Sequence, residues 1–342
     1  MEPRTCTRKT PKRAFKAMTG KRTKQYNWVV EQACAEDEKM LLELFYKAFK
    51  HEMPVQQWRW KYARSQPMGT LVREDDKVVA FYGAMPREIQ LFGRSDIAVQ
   101  IGDVMVEPSR RRILTRRGPF FLAASAFSER FVGSGKPYCY AFGFPSDRHN
   151  RLGEHLGLYA RVGKVFEANW RPLSGCIMSM TKSRPLPADC LTVIDQLWQE
   201  MADDLIEEVV PVRDSQYIQR RFLTHPTIEY KLVLVERRFS GRPLGLLVLR
   251  DLEDDGIELL DMVAPLRQIP LLVKVARQLT GSLKRPRLFA WLTRPVADVL
   301  KGSQCALKKT DVDIPTFIWE QPEKVLEIRD HWWLMGGDSD FR

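Results

Sequence analysis

Five arginines crowd into residues 110–117, within the stretch "GDVMVEPSRRRILTRRGPFFLAASAF" (102–127). The stretch runs from a strand-like segment through Pro108 and the arginines into an apolar helical pattern. A loop that leads from a strand into a helix exposes backbone N–H groups, and the helix dipole attracts anions there. Arginine side chains add charge-assisted bonds to phosphates, so the stretch suits a pyrophosphate. The alternative interpretation is a solvated basic turn.

The elements that must position this loop begin at Tyr26. The strand pattern "NWVVEQAC" precedes an amphipathic helix, "AEDEKMLLELFYKAFKH", and a short aromatic helix, "PVQQWRWKYARSQP". Four strands follow, "GTLVRED", "KVVAFYGAM", "REIQLFG" and "DIAVQIGDVMVEP". After the loop the sequence predicts a helix from Pro119, a buried strand "PYCYAFGFP", a short helix capped by Ser146 and the strand "LYARVGKVFEANW".

A weak internal repeat relates the two halves of the chain. "WRWKYARSQP" (58–67) corresponds to "YIQRRFLTHP" (217–226), and "DVMVEP" (103–108) corresponds to "DMVAP" (261–265). The second motif is followed in both halves by basic residues and an apolar helix, which indicates two copies of one architecture. We therefore predict four segments: a basic disordered tail (1–25), a first domain (26–170), a linker (171–205) and a second domain (206–342).

The net charge of +11 belongs mostly to the tail. Residues 1–25 hold nine Lys and Arg and one Glu, which accounts for +8 of that charge. A tail with few large apolar residues cannot offset its ordering entropy, so we expect disorder. Binding of nucleic acid or an anionic surface through the tail is one reading, and a solvated extension is the other.

The remaining composition narrows the class of protein. The six cysteines and five histidines are scattered, without CxxC or HExxH spacing, so we expect neither a disulfide framework nor a metal site. Apolar runs stay well short of the roughly 18 residues of a membrane span. We expect a soluble cytoplasmic protein that has no membrane partner.

Residues 27–170 resemble the GNAT (GCN5-related N-acetyltransferase) superfamily. The motifs that carry the resemblance are "WRWKY....P.G", "DVMVEPS" at the end of the long strand, and "AFGFPSDRHNRLGEHLGLY". The second half resembles a degenerate repeat, as in bacterial tandem-domain members. The resemblance implies an α/β (α+β) fold of two tandem GNAT-like domains, each a mixed, mainly antiparallel twisted sheet flanked by helices.

The resemblance also implies transfer of an acyl group, usually acetyl from acetyl-CoA or a related acyl-CoA, to an amine, without a metal. It places the pantetheine arm against the backbone of Met105 and Val106, in a gap between the fourth and fifth strands. The phosphates would bind residues 111–118. The remaining cofactor-binding candidates are Arg111, Arg112, Thr115, Arg116, Arg117, Gly118 and Asn150. The usual loop glycines are absent except for Gly118, so arginine side chains would replace backbone contacts.

Acyl transfer needs a base for the ammonium and an acid for the thiolate. The tyrosine that many members place before the final glycine of the following helix is Gly153 here, so the usual acid is missing. Substitute catalytic candidates are Asp103, Tyr140 and Glu154. Each also has a structural interpretation, respectively an ion pair, core packing and surface solvation. Since some tandem members insert their C-terminus into the site, Arg342 is a further candidate.

Three questions stay open at the level of sequence. The chain is either an N-acyltransferase or a non-catalytic GNAT-fold binding or regulatory protein, and nucleic-acid binding through the tail is a third hypothesis. The second half lacks both the glycines and the arginine cluster, so we expect it to bind no CoA. The aromatic residues Trp58, Trp60, Tyr62, Trp332 and Trp333 either line an acceptor pocket or pack in the core, and core packing is favoured.

Overall fold

A computed structural model describes residues 26–174, 181–187, 191–319 and 323–342 of the chain. The predicted disordered tail, residues 1–25, lies outside the described residues. No helix in the described part is both long and apolar enough to cross a membrane.

Thirteen strands form two sheets within the described ranges. In chain order they are β1 Trp28–Gln32, β2 Gly69–Glu74, β3 Lys77–Leu91, β4 Arg94–Val106, β5 Ala141–Gly143, β6 Tyr159–Trp170, β7 Thr181–Pro185, β8 Val209–Pro211, β9 Lys231–Arg237, β10 Pro243–Asp251, β11 Ile257–Val263, β12 Leu288–Leu292 and β13 Ala306–Phe317.

Nine α-helices flank the two sheets in the same part of the chain. They are α1 Glu38–Phe49, α2 Val55–Tyr62, α3 Pro119–Phe131, α4 Asp147–Leu156, α5 Leu191–Asp204, α6 Ser215–Ile218, α7 Ile269–Ser282, α8 Arg294–Val299 and α9 Lys324–Ile328. A π-helical turn, Gln219–Leu223, continues α6.

The first sheet has the order β1-β2-β3-β4-β5, and β8 pairs with the far end of β3. Only the β4–β5 pair is parallel. The central strand β3 is buried on both faces, since Tyr82 and Ala84 pack in the core under α3 while Phe81 and Met85 pack in the core under α1 and α2. The two groups of helices therefore cover opposite faces of this sheet.

The second sheet has the order β13-β6-β12-β11-β10-β9-β7, with β11–β12 as its parallel pair. The predicted fold class is confirmed: both sheets are mixed, mainly antiparallel and flanked by helices. The strands nevertheless cross the predicted domain boundaries. Strand β6 from the first half lies between β13 and β12 of the second sheet, and β8 from the second half extends the first sheet. The two halves are thus interlocked.

Two local predictions differ from the structure. The segments "KVVAFYGAM" and "REIQLFG" form one continuous strand, β3, which passes through Pro86. Proline is tolerated there because pairing with β2 ends at Gly83, which leaves the edge beside Pro86 without a strand that would need its N–H. The predicted linker, 171–205, contains β7 and α5, because α5 is amphipathic and buries Ile194, Leu197 and Met201.

A buried ionic network joins the two halves. Arg213, just after β8, binds Asp261 of β11 (Nε–Oδ1 2.9 Å) and Asp338 near the chain's last residues (Nη2–Oδ2 2.6 Å), and all three side chains are 0% exposed. Arg87 of β3 donates to the other oxygen of Asp338 at 3.0 Å. Burial by itself would lower the pKa of Arg213, but the two carboxylates outweigh it and the pKa is raised. Arg213 therefore stays charged.

Replacing Arg213 tests this network. Arg213→Leu leaves two buried carboxylates with only one arginine, and we expect a loss of about 3–5 kcal/mol in the free energy of unfolding, measured by urea denaturation. The control is Arg294→Leu, which removes an exposed pair with Asp298 and should cost no more than about 0.5 kcal/mol. Equal effects of the two substitutions would contradict a structural role of the network.

Candidate active site

A β-bulge in β4 creates the site. Asp103 and Val104 of β4 together face the single residue Tyr82 of β3. Asp103 adopts the left-handed region with φ 47°, which aspartate tolerates better than most residues. The bulge bends the strand, and the parallel pairing of β4 with β5 ends at Ile101, opposite Gly143. A gap therefore opens between β4 and β5.

A cavity of about 540 Å³ occupies this gap. It reaches from β4 and β5 to the end of α1, to α2, to the start of α4 and to the chain's last residues. Its Asp, Glu and Lys lining residues are Glu52, Lys61, Asp103 and Asp340, and we call this set the acidic wall. We call a second set of lining residues the neutral wall: Tyr82, Ser146, His149 and Tyr159. Tyr82 and Tyr159 belong to the core under α3.

Lys61 is the centre of the acidic wall. Its side chain is 2% exposed, and its Nζ lies 2.6 Å from Asp103 Oδ2 and 2.8 Å from Asp340 Oδ2. Tyr62 donates from its hydroxyl to Asp103 Oδ2 at 2.8 Å. Burial by itself would lower the pKa of Lys61, but the two carboxylates outweigh it and raise the pKa. The ammonium is fixed, and the lysine with its two aspartates carries a net charge of −1.

The second half of the chain delivers Asp340 to this wall. Arg221 donates from Nε to Gly337 O at 3.0 Å and from Nη2 to Ser339 O at 3.0 Å and Arg342 O at 2.7 Å. These bonds hold residues 337–342 against the second sheet, so that Asp340 points back to the first. Arg342, whose terminal carboxylate was the candidate, does not line the cavity. Its terminal oxygen accepts from Arg221 and from the hydroxyl of Tyr230 instead. The candidate at the chain's end is thus Asp340 rather than Arg342.

The neutral wall is built around two tyrosines. The hydroxyls of Tyr82 and Tyr159 lie 2.7 Å apart, and the ring of His149 stacks parallel to Tyr159, 6.0 Å between centroids. Burial lowers the pKa of His149 to about 4, so its imidazole is neutral at pH 7. A Cβ added at Gly153 would lie 2.0 Å from Cδ2 of Tyr159. The ring of Tyr159 therefore occupies the room of a side chain at position 153.

The structure brings one of the three predicted catalytic residues to the cavity. Asp103 lines it, in an ion pair with Lys61. Tyr140 does not: its ring packs in the core, and its hydroxyl donates to the exposed Glu327 at 2.8 Å. Glu154 does not either, because both its oxygens bind the guanidinium of Arg161 on the surface. The structural interpretation therefore holds for Tyr140 and for Glu154.

The predicted cofactor residues lie around the cavity rather than in its lining. Met105 is 1% exposed and packs under α1 and α2, just past the lining residues 101–104 of β4. Asn150 is 0% exposed and donates to the backbone oxygen of Asp313 at 3.2 Å, which ties α4 to β13. Ser146 is the N-cap residue of α4, as predicted, although its side chain makes no cap hydrogen bond.

The arginine loop follows β4 outside the cavity. Arg110 pairs with Glu74 at 2.8 Å. Arg111 donates to the backbone oxygens of Val106 at 3.0 Å and Ala48 at 2.6 Å, which fastens the loop to the end of α1. Arg116 donates to Leu156 O at 3.2 Å. Three of the five arginines therefore stabilise the loop.

The other two arginines face solvent. Arg112 and Arg117 are exposed, and their side chains make no hydrogen bond or ion pair within the described part of the chain. Gly118 is required where it stands, because a Cβ there would lie 2.0 Å from Ile113 O. The loop backbone thus folds against the start of α3, near Thr115, and leaves Arg112 and Arg117 exposed to solvent.

Sequence reasoning missed four residues of the cavity. Lys61 lies within the quoted motif "WRWKY", where its charge among aromatic residues was a usable signal. Tyr82, Tyr159 and Asp340 gave no such signal, since their roles come from contacts across the fold. The aromatic residues outside the cavity follow the core interpretation: Trp58, Trp332 and Trp333 are 1% exposed and absent from the lining. Within the described residues no group of His, Cys, Asp or Glu could hold a metal ion.

Comparisons with known proteins agree with this geometry. Residues 30–118 match the sequence profile of the acetyltransferase (GNAT) domain. No curated protein sequence matches the chain. Residues 30–118 thus match a GNAT acetyltransferase domain, and the predicted resemblance to the GNAT superfamily is confirmed.

Solved structures show the same fold over most of the chain. A conserved protein of unknown function from Enterococcus faecalis V583, described as a probable N-acyltransferase, is 13% identical, with 84% of this chain and 72% of that chain covered and a TM-score of 0.62. A GCN5-related N-acetyltransferase from Kribbella flavida is 15% identical, with 84% of this chain and 71% of that chain covered and a TM-score of 0.61. The N-myristoyltransferase of Saccharomyces cerevisiae with bound myristoyl-CoA is 11% identical, with 90% of this chain and 85% of that chain covered and a TM-score of 0.53.

Gly153→Ala tests the packing of the neutral wall. Helix propensity alone would make this substitution stabilising by about 1 kcal/mol, but overpacking against Tyr159 costs about 1–3 kcal/mol. We expect a net loss of stability in thermal unfolding. The control is Gly163→Ala, whose Cβ would meet Ile314 at 3.6 Å, an ordinary contact. A stabilised Gly153→Ala variant would show that the ring of Tyr159 can move away.

Proposed function

We propose that the chain is an acyl-CoA-dependent N-acyltransferase that moves an acetyl group from acetyl-CoA directly to an amine. The observation that carries the proposal is the cavity at the bulged end of β4, with carboxylates on one wall and neutral hydrogen-bonding groups on the other. A neutral thioester suits the neutral wall. A cationic amine suits the acidic wall.

The donor would lie along the open edge of β4. Glu107 N donates to Val79 O of β3, and successive amides of a strand point to opposite edges, so the N–H of Val106 points to the edge that β5 has left. The backbone oxygen of Val106 on that edge already accepts from Arg111. A pantetheine arm on this edge would lead its phosphates toward Arg112 and Arg117. The roles of these residues and of Met105 stay predictions.

The acceptor would bind with its ammonium at Asp103 and Asp340. Their single shared counter-ion, Lys61, leaves one negative charge for the substrate. One of the carboxylates takes the proton that the amine must lose before it attacks. Direct attack on the thioester is favoured over an acyl-enzyme, since no cysteine occurs among the lining residues that the structure describes.

The second half would support the site without binding CoA. Its strands β11 and β12 also diverge after Glu258 pairs with Phe289. The chain's last residues occupy that gap: Met335 forms a bridge to Leu292 of β12, and Arg342 contacts Glu258. The equivalent of the first cavity is therefore filled by the chain itself.

Calorimetric titration of the full-length protein with acetyl-CoA tests donor binding. The double charge reversal Arg112→Glu/Arg117→Glu removes two cations that the fold does not use, and we expect at least about tenfold weaker binding. The control, Arg238→Glu/Arg242→Glu, changes the charge equally on an exposed hairpin of the second half and should leave the affinity within about twofold. Equal weakening by both pairs would refute the phosphate-binding role of the loop.

Thiol release from acetyl-CoA during incubation with a panel of amines tests turnover, and longer acyl-CoAs in the same assay test the acyl chain. Binding of acetyl-CoA without thiol release in the presence of any amine would favour the non-catalytic alternative.

Asp340→Asn should lower kcat/KM for the amine at least about tenfold, because it removes a charge that binds the acceptor, while acetyl-CoA affinity stays constant. Asp311→Asn, an exposed residue of β13, is the control. An unchanged kcat/KM in Asp340→Asn would exclude Asp340 from acceptor binding.

A further inference from the structure

The neutral wall contains a hydrogen-bond donor without a protein acceptor. Tyr82 on β3 and Tyr159 on β6 are 1% and 5% exposed, and their hydroxyl oxygens lie 2.7 Å apart. The two hydroxyls carry two protons, and their mutual hydrogen bond uses only one of them. Neither hydroxyl makes another hydrogen bond among the described residues. Since both residues line the cavity, the second proton faces the space that a ligand would occupy.

Aromatic rings pack around this pair. Phe317 lies against both rings, with centroids 5.9 Å from Tyr82 and 5.4 Å from Tyr159, and Phe120 lies 6.4 Å from Tyr159. Burial raises the pKa of both tyrosines, so both hydroxyls keep their protons at neutral pH. A buried polar group normally has a partner, so an unused donor at this depth indicates a bound acceptor.

The charged groups of the cavity do not compete for this role. Lys61 is engaged by Asp103 and Asp340 on the acidic wall. The imidazole of His149 is neutral beside Tyr159. The tyrosine pair is therefore a buried donor on the wall where a thioester would lie.

We propose that the Tyr82–Tyr159 pair is the proton donor to the departing thiolate, an assignment that rests on the proposed function. The amine gives one proton to a carboxylate of the acidic wall and then attacks the carbonyl carbon. As the C–N bond forms and the C–S bond breaks, the sulfur keeps the bonding electrons and takes the proton of the pair. The pair recovers a proton from the nitrogen of the adduct, and the carboxylate releases its proton to water.

The acidity of the leaving thiol distinguishes this role from a structural one. An alkyl thiolate is a strong base and needs protonation as it leaves, whereas an aryl thiolate is a weak base and leaves without it. Two small acetyl donors supply the comparison: S-acetyl-N-acetylcysteamine, which has the thiol end of CoA, and phenyl thioacetate. Single-turnover transfer from each donor to the best amine of the panel is measured for Tyr159→Phe and Tyr82→Phe of the full-length protein.

We expect both variants to lose about a hundredfold in rate with the alkyl donor and less than about threefold with the aryl donor, at unchanged acetyl-CoA affinity. The control is Tyr138→Phe, a tyrosine 4% exposed in the same core that does not line the cavity; its rates should match the wild type. If the wild type is active and the variants lose rate equally with both donors, or lose none, the proton-donor role is refuted and the proposed function stands. A wild type that transfers from neither donor nor acetyl-CoA refutes the proposed function and this role with it.

Discussion

The buried ionic contact between Arg213 and Asp338 is the constraint on which the candidate site depends. Neither side chain reaches solvent, and the contact extends to Asp261 of the second sheet and Arg87 of the first. Because an unpaired buried charge is costly, these four groups must stay together once the chain has folded. Their arrangement fixes the backbone two residues before Asp340, and that placement gives the acidic wall its second carboxylate.

The same constraint explains how both halves of the chain contribute to the cavity. The halves exchange strands β6 and β8, so neither sheet is complete without the other half. The chain's last residues then cross the gap between β11 and β12, and Asp340 among them reaches Lys61 beside the bulge of β4. The last residues fill the gap between β11 and β12, and Asp340 and Phe341 among them line the cavity beside β4. The second half therefore acts as the support that carries a residue into the first.

Charge and burial give the two walls of the cavity different chemical character. The carboxylates on the α2 face of the sheet surround a lysine that they keep protonated. The tyrosines on the α3 face keep their protons for a different reason, since burial disfavours the phenolate. One wall thus presents carboxylates and the other protonated hydroxyls, across a gap at the bulge where Asp103 adopts its left-handed conformation.

The sequence by itself determined the features that depend on local patterns. Hydrophobic periodicity and turn residues predicted the order of elements. That order and the motifs led to the GNAT resemblance, and the resemblance implied the fold class and drew attention to Asp103. Side-chain pairing decided the rest. Glu154 binds an arginine seven residues away and Tyr140 binds a glutamate 187 residues away, so neither lines the cavity. Asp340 and Tyr159 line it because the folded chain brings distant segments together, and no local pattern encodes such contacts.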